Sequence, residues 1–320
     1  MKPARKERGG SRGVDLEHAA RHMAAGRRRQ DGPAAINDGS VRPIADDQIP
    51  WWLWPTILSI DAPMVTGLWQ RLLSRVADIR LDWEHGVVLP VSVWLAYAAD
   101  RWIEGWRLRP AQIRTKRHRF YQRHRWPIAA AWLVAFAVDV AIAWVRLDRR
   151  EFLAGLLLLG PVAAYLLSHQ LVHRDHPWRA PKELIIAGLL AAGTALFVVL
   201  PPHDAVVWWA IALFTLLCFA NCALISAWER EVDVSHGQTS LAMQFGAGAR
   251  IARGLTLAIA VAAAALGWVG PPALSMAAAC AGASALLLLW INHAETALGR
   301  HRARVLADVA LMTPAIALLL

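Results

Sequence analysis

From Trp54 onward the chain is a string of nine apolar runs divided by short polar connections. The runs are residues 54–73, 87–105, 126–145, 152–172, 184–200, 206–228, 251–269, 273–291 and 305–320. A helix of about 20 apolar residues crosses a bilayer core, and it satisfies its own backbone there. The runs are continuous rather than alternating, so the predicted fold is an all-α integral membrane bundle of nine transmembrane helices. Hydrophobic residues fill 57% of the 320 positions, with mean hydropathy +0.35, and a soluble protein would break such runs.

The first 50 residues are a different material. They hold KPARKERGGSRG and GRRRQDGP and few large apolar side chains, so they are expected to be a disordered, basic cytoplasmic tail. Residues 51–320 form the predicted transmembrane domain. The loop between Arg107 and Arg125 carries eight Lys or Arg, whereas PPHDA after the fifth run and GPP after the seventh carry none. Basic loops stay in the cytosol, which puts the N-terminus inside and the C-terminus outside. The net charge of +10 is therefore read as topology and not as nucleic-acid binding. The expected location is a bacterial cytoplasmic (inner) membrane. Trp51, Trp52, Trp54, Trp106, Trp126, Trp178 and Trp228 stand at run ends, where indole rings favour the headgroup level.

Two runs end in carboxylates. The second closes on Asp100 and Glu104, at i and i+4, with Arg101 between them. The sixth closes on Glu229 and Asp233, and Ser226 shares their face. Charge at the end of a membrane helix needs a reason. Two facing carboxylate pairs suit a hard divalent cation such as Mg²⁺, which in turn holds phosphate oxygens. The bland reading is interfacial charge paired with Arg101 and Arg230.

These stretches resemble the aspartate-rich motifs of the UbiA superfamily of intramembrane prenyltransferases. The first reads Ala96-Tyr97-Ala98-Ala99-Asp100-Arg101-Trp102-Ile103-Glu104, with Ala96 and Tyr97 where the family has Asn and its first Asp. The second reads Glu229-Arg230-Glu231-Val232-Asp233, with Glu for the first Asp. Gly237-Gln238-Thr239-Ser240-Leu241-Ala242 resembles the tail that follows the second motif. The resemblance implies nine helices and Mg²⁺-dependent transfer of a prenyl group from a prenyl diphosphate to a lipophilic acceptor, aromatic or isoprenoid. It implies that Asp100, Glu104, Glu229 and Asp233 hold the metal and that Lys182 contacts the diphosphate. Arg101 and Arg179 are further candidates for that contact. The lost Asn and Asp leave a second class open: a non-catalytic relative that binds a lipid diphosphate or a protein partner. A transporter is disfavoured, because no broken helix or charged pathway is evident.

Other polar residues lie within or beside the runs. Tyr97, Trp94 and Trp228 offer rings to an allylic cation. Asn221 either bonds substrate or pairs with a neighbouring helix. Cys222 lies one turn before Ser226, and Cys218 and Cys280 read as buried small hydrophobes. His169, His173 and His176 read as interfacial polar residues. Asp61 is read as a cavity or helix-pairing group, and Asp139 and Asp308 are equally open to a structural role.

Overall fold

The computed structural model describes residues 49–107, 115–168, 182–230, 241–244 and 248–319, within a compact unit from Pro50 to Leu320. Among the described residues the secondary structure is helical throughout. The chain enters by a 3₁₀ turn, Trp51–Leu53, and a one-turn helix, Trp54–Ile57. The helices that follow are α1 (Asp61–Val76), α2 (His85–Arg107), α3 (Lys116–Arg123), α4 (Arg125–Arg146), α5 (Arg149–Leu167) and α6 (Lys182–Val199). Then come α7 (Val206–Trp228), a single turn Leu241–Gln244, α8 (Gly248–Val269), α9 (Pro272–Leu298), α10 (Arg300–Ala310) and α11 (Pro314–Leu319).

Local chemistry sets several of these boundaries. Asp148 and Glu151 form a reciprocal capping box at the start of α5. Thr115 caps α3 by accepting from the His118 N–H. Gly299 takes φ +76° between α9 and α10, a backbone conformation that a side chain disfavours, and so lets the chain turn there.

Six helices, α4 to α9, are long and apolar enough to cross a membrane. Of the other three runs, the first and the ninth differ from expectation. The first is interrupted: Ser59 takes φ +57° and α1 starts afresh at Asp61. The second, α2, carries Asp100, Arg101 and Glu104 into its last turns. The ninth is not one helix, because it stops at Ala310 and restarts at Pro314 as α11. Proline disfavours helical geometry at the residue before it and is well suited to the first position of a helix, which fits the restart at Pro314. The nine expected spans therefore do not map one-to-one onto nine helices.

Helix α7 is the central post. Its Phe214 stacks on Trp69 of α1 at 4.7 Å, and both are fully buried. The Trp69 Nε1–H donates to the Leu311 carbonyl at 2.8 Å, which ties α1 to the break after α10. Small residues let the partners approach closely: Ala187, Ala191 and Ala195 on α6, and Ala277, Ala281 and Ala285 on α9, are all buried. By contrast α4 and α5 turn apolar side chains such as Val134, Trp144, Leu156 and Leu157 outward.

Candidate functional site

Helices α2 and α7 end, and α6 and α10 begin, around one cavity of about 160 Å³. Tyr97, Asp100, Arg101 and Glu104 line it from α2. Lys182 lines it from the first position of α6, Asn221 and Ser226 from α7, and Glu229 from the cap of α7. Every predicted site residue in the described segments is thus brought to one place. Asp233, Arg179, Trp178, His169, His173 and His176 lie outside the described residues.

Glu229 sits in a clamp of guanidiniums. Its backbone N–H still bonds the Ile225 carbonyl at 2.9 Å, so the last turn of α7 fixes its position. Its Oε2 accepts from Arg304 Nη1 at 2.5 Å and from Arg117 Nη2 at 3.4 Å. Burial alone would raise the Glu229 carboxyl. Arg304 and Arg117 outweigh that and hold it well below the usual carboxylate range. The Arg117 guanidinium is itself pushed down, first by burial and then by the like charges of Arg101 and Arg304. The Nε atoms of both Arg117 and Arg304 are buried without a hydrogen-bond partner. Neither arginine stood out in the sequence, since a basic loop and a basic helix start read as topology.

Glu104 is held by an imidazole. Its Oε2 receives the His118 Nε2–H at 2.5 Å, and Arg101 Nη1 stands 3.6 Å away. The Thr115 hydroxyl meets His118 Nδ1 at 2.5 Å. Nδ1 is then an acceptor, which sets the neutral Nε2–H tautomer. Burial pushes His118 down to about 4, against the opposing pull of Glu104, so the ring is neutral near pH 7. The cap of α3 thereby aims the last carboxylate of α2.

A third cluster lies on α10, one turn beyond Arg304. Asp308 receives the Asn221 Nδ2–H on Oδ1 at 3.1 Å. Asp61, the first residue of α1, stands beside it in the cavity wall. Asn221 pairs α7 with α10, and Asp61 lines the cavity. Asp308 lines the cavity with them. Asp139 is remote from the cavity: the Ser92 hydroxyl donates to its Oδ2 at 2.7 Å and joins α2 to α4.

The ring assignments change in part. Tyr97 lines the cavity, and Tyr165 of α5 joins it. Trp228 is neither a cavity wall nor an interfacial anchor: it is buried, and its Nε1–H donates to Asn292 Oδ1 at 3.2 Å. The Trp94 Nε1–H is spent on the Leu58 carbonyl at 2.9 Å. Trp51, Trp54, Trp106 and Trp126 are exposed. Cys218 and Cys222 line the cavity from α7, and Cys280 is buried elsewhere.

Glu104 Oε2 and Glu229 Oε2 face cationic or N–H donors. Among the described residues no group of three or more His, Cys, Asp or Glu side chains is arranged to hold an ion.

Helix order and cavity position permit a direct comparison with known folds. A solved apo structure of a UbiA homologue from Aeropyrum pernix K1 matches this chain with a TM-score of 0.51, over 85% of this chain and 100% of that one, at 18% identity. The fold is UbiA-like. No protein-family model matches the sequence, and no curated protein matches it. With its apolar helices, the UbiA-like bundle is an integral membrane protein. Its cavity lies where α2 and α7 end, the two helices whose carboxylate ends carried the resemblance.

Proposed function

We propose that this protein transfers a prenyl group from a prenyl diphosphate to a lipophilic acceptor within the membrane. The observation that carries the reading is the pair of buried, unpartnered guanidinium Nε–H donors, Arg117 and Arg304, beside a cavity in a UbiA-like bundle. A diphosphate offers several anionic oxygens, and planar guanidiniums are suited to them. Arg101 and Lys182 line the same cavity. Glu229 orients Arg117 and Arg304, and Glu104 orients Arg101. As the prenyl C–O bond ionises, charge grows on the leaving diphosphate, and preorganised donors stabilise it most in a dry site. Val65, Ile186, Leu190 and Ile225 give the isoprenoid an apolar wall. Tyr97 and Tyr165 offer ring faces to the allylic cation.

Mg²⁺, when bound to a diphosphate, neutralises its charge and polarises the leaving oxygen. Glu104 Oε2 and Glu229 Oε2 face cationic or N–H donors, so the guanidiniums carry neutralisation in this reading. The charged rim is assigned to the cytosolic side with the N-terminus, as the basic loop between Arg107 and Arg125 requires. A non-catalytic binder of lipid diphosphates is the second reading, favoured by the engagement of Glu104 and Glu229 with cations.

The test is binding of geranyl, farnesyl and geranylgeranyl diphosphate to purified protein, with Mg²⁺ or with EDTA, followed by transfer to lipophilic acceptors. Saturable binding that survives EDTA and is lost in Arg304→Leu is expected. Binding that vanishes with EDTA would return neutralisation to Mg²⁺ on Asp100, Glu104, Glu229 and Asp233. Binding without transfer to any acceptor would leave the non-catalytic reading, and no binding would end both.

A further inference from the structure

The guanidinium cluster accounts for one side of the cavity and leaves Asp61, Asp308 and Asn221 without a role. We propose that these three residues form the acceptor subsite: Asn221 docks a hydroxyl of the acceptor, and the Asp61–Asp308 carboxyl pair takes its proton during transfer. This rests on the transferase reading and names the substrate class within it, a lipophilic alcohol or phenol.

The two carboxyl groups line the same cavity and face each other. Asp61 is the first residue of α1, at the positive end of its dipole. Asp308 stands in the last turn of α10, at the negative end. The pair presents two carboxyl groups to an acceptor held at Asn221. Asn221 is only 6% exposed; its amide N–H is committed to Asp308, while its Oδ1 is buried with no partner. A buried acceptor left empty is costly, and a ligand O–H is the group that would satisfy it.

The step balances. The C–O bond between the prenyl carbon and diphosphate breaks, and its electron pair leaves on diphosphate. A lone pair of the acceptor oxygen forms the new C–O bond, giving an ether. The hydroxyl proton passes to the Asp61–Asp308 pair. The other charged or titratable groups that face the pair are Tyr97 from α2, Tyr121 from α3, Cys222 from α7 and Arg304 from α10.

The experiment uses the full-length protein in nanodiscs, with farnesyl or geranylgeranyl diphosphate and paired acceptors: a long-chain alkylphenol and farnesol, each beside its methyl ether. Only the free hydroxyls should be prenylated. Asp61→Asn should slow transfer by about 10²–10⁴-fold with diphosphate binding unchanged, the range for loss of a general base. Asn221→Leu, with Asn221→Ser as the milder variant, should raise the acceptor KM more than it lowers kcat. Methyl ethers as competent as free hydroxyls, or Asp61→Asn at the wild-type rate, would overturn the subsite. If wild-type protein prenylates nothing, the transferase reading fails, and the subsite is judged by binding alone. Preference for the alkylphenol over its ether, erased by either Asn221 variant, would sustain it. Equal binding of the two would overturn it.

Discussion

Arg304 and Asp308 stand one turn apart on α10, and the two sides of the cavity they serve are built on opposite rules. Around Arg304 opposite charges meet: Glu229 is clamped by two guanidiniums, and Glu104 is held by a neutral imidazole and a guanidinium. Around Asp308 like groups meet: two carboxyl groups face each other, and an amide oxygen has nothing to accept from. The first side is satisfied within the protein except for its two buried Nε–H donors. The second is left short of a partner. A satisfied cluster stabilises the fold and orients groups, while an unsatisfied one is where a ligand gains most by binding.

Breaking the satisfied side should cost most. Arg304→Leu leaves Glu229 with only the longer contact to Arg117, and removal of one partner from a buried pair costs about 3–5 kcal/mol. Chemical unfolding in mild detergent should show a loss at the low end of that range, because Arg117 remains. A pH dependence should come next. His118 is neutral in the fold, with its value depressed from 6.5 to about 4 by burial. The unfolded chain takes up the proton first as pH falls, so stability should be lost between about 6.5 and 4. The melting temperature measured across that window should fall in the wild type and stay flatter in His118→Gln.

Thr115→Val should be smaller again. It removes the cap of α3 and the donor to His118 Nδ1, worth about 1–2 kcal/mol for the cap. An unfolding curve would register it, and a loss near zero would show that the tautomer is set elsewhere. Asp308→Asn should cost less still. The amide keeps a side chain of the same shape between Asn221 and Asp61 and leaves a single carboxyl there, so the unfolding free energy should not fall by more than about 1 kcal/mol. If Asp308→Asn destabilised as strongly as Arg304→Leu, the contrast between the two sides would fall. The least effect is expected from Ser92→Ala, which removes the bond to Asp139 far from the cavity, at about 0.6 kcal/mol.

The carboxylates Asp100, Glu104 and Glu229 were legible because charge closing an apolar run is expensive and local in sequence. Their partners were not. Arg117 and Arg304 lie in segments whose basic character already had a sufficient explanation in topology. The Asp61–Asp308 contact joins the first and tenth helices, and no periodicity reports a pairing over that separation. Hydropathy was equally blind to neighbours. Helices α4 and α7 have the same mean hydropathy, 2.2, yet the apolar window of one is 6% buried and that of the other 56%. Apolar side chains satisfy lipid and protein alike, so the difference is decided by packing residues such as Ala210, Ala220 and Ala223. The break after Ala310 was hidden by the apolar Leu311 and Met312, although Pro314 marked it. Trp228 misled because a tryptophan at a run end suits the headgroups, and only Asn292 from α9 shows why it is buried instead.

The hook between Trp69 and the Leu311 carbonyl bears on how the protein is made. The contact spans 242 positions, and Arg75 reaches the Ala317 and Leu318 carbonyls over a similar separation. On the ribosome α1 emerges early and must wait for almost the whole chain before its partner is translated. Through that interval Glu229 can meet Arg117 but not Arg304, so its clamp is half-built until α10 is made. The last helices of the bundle therefore close the polar cluster as well as the core.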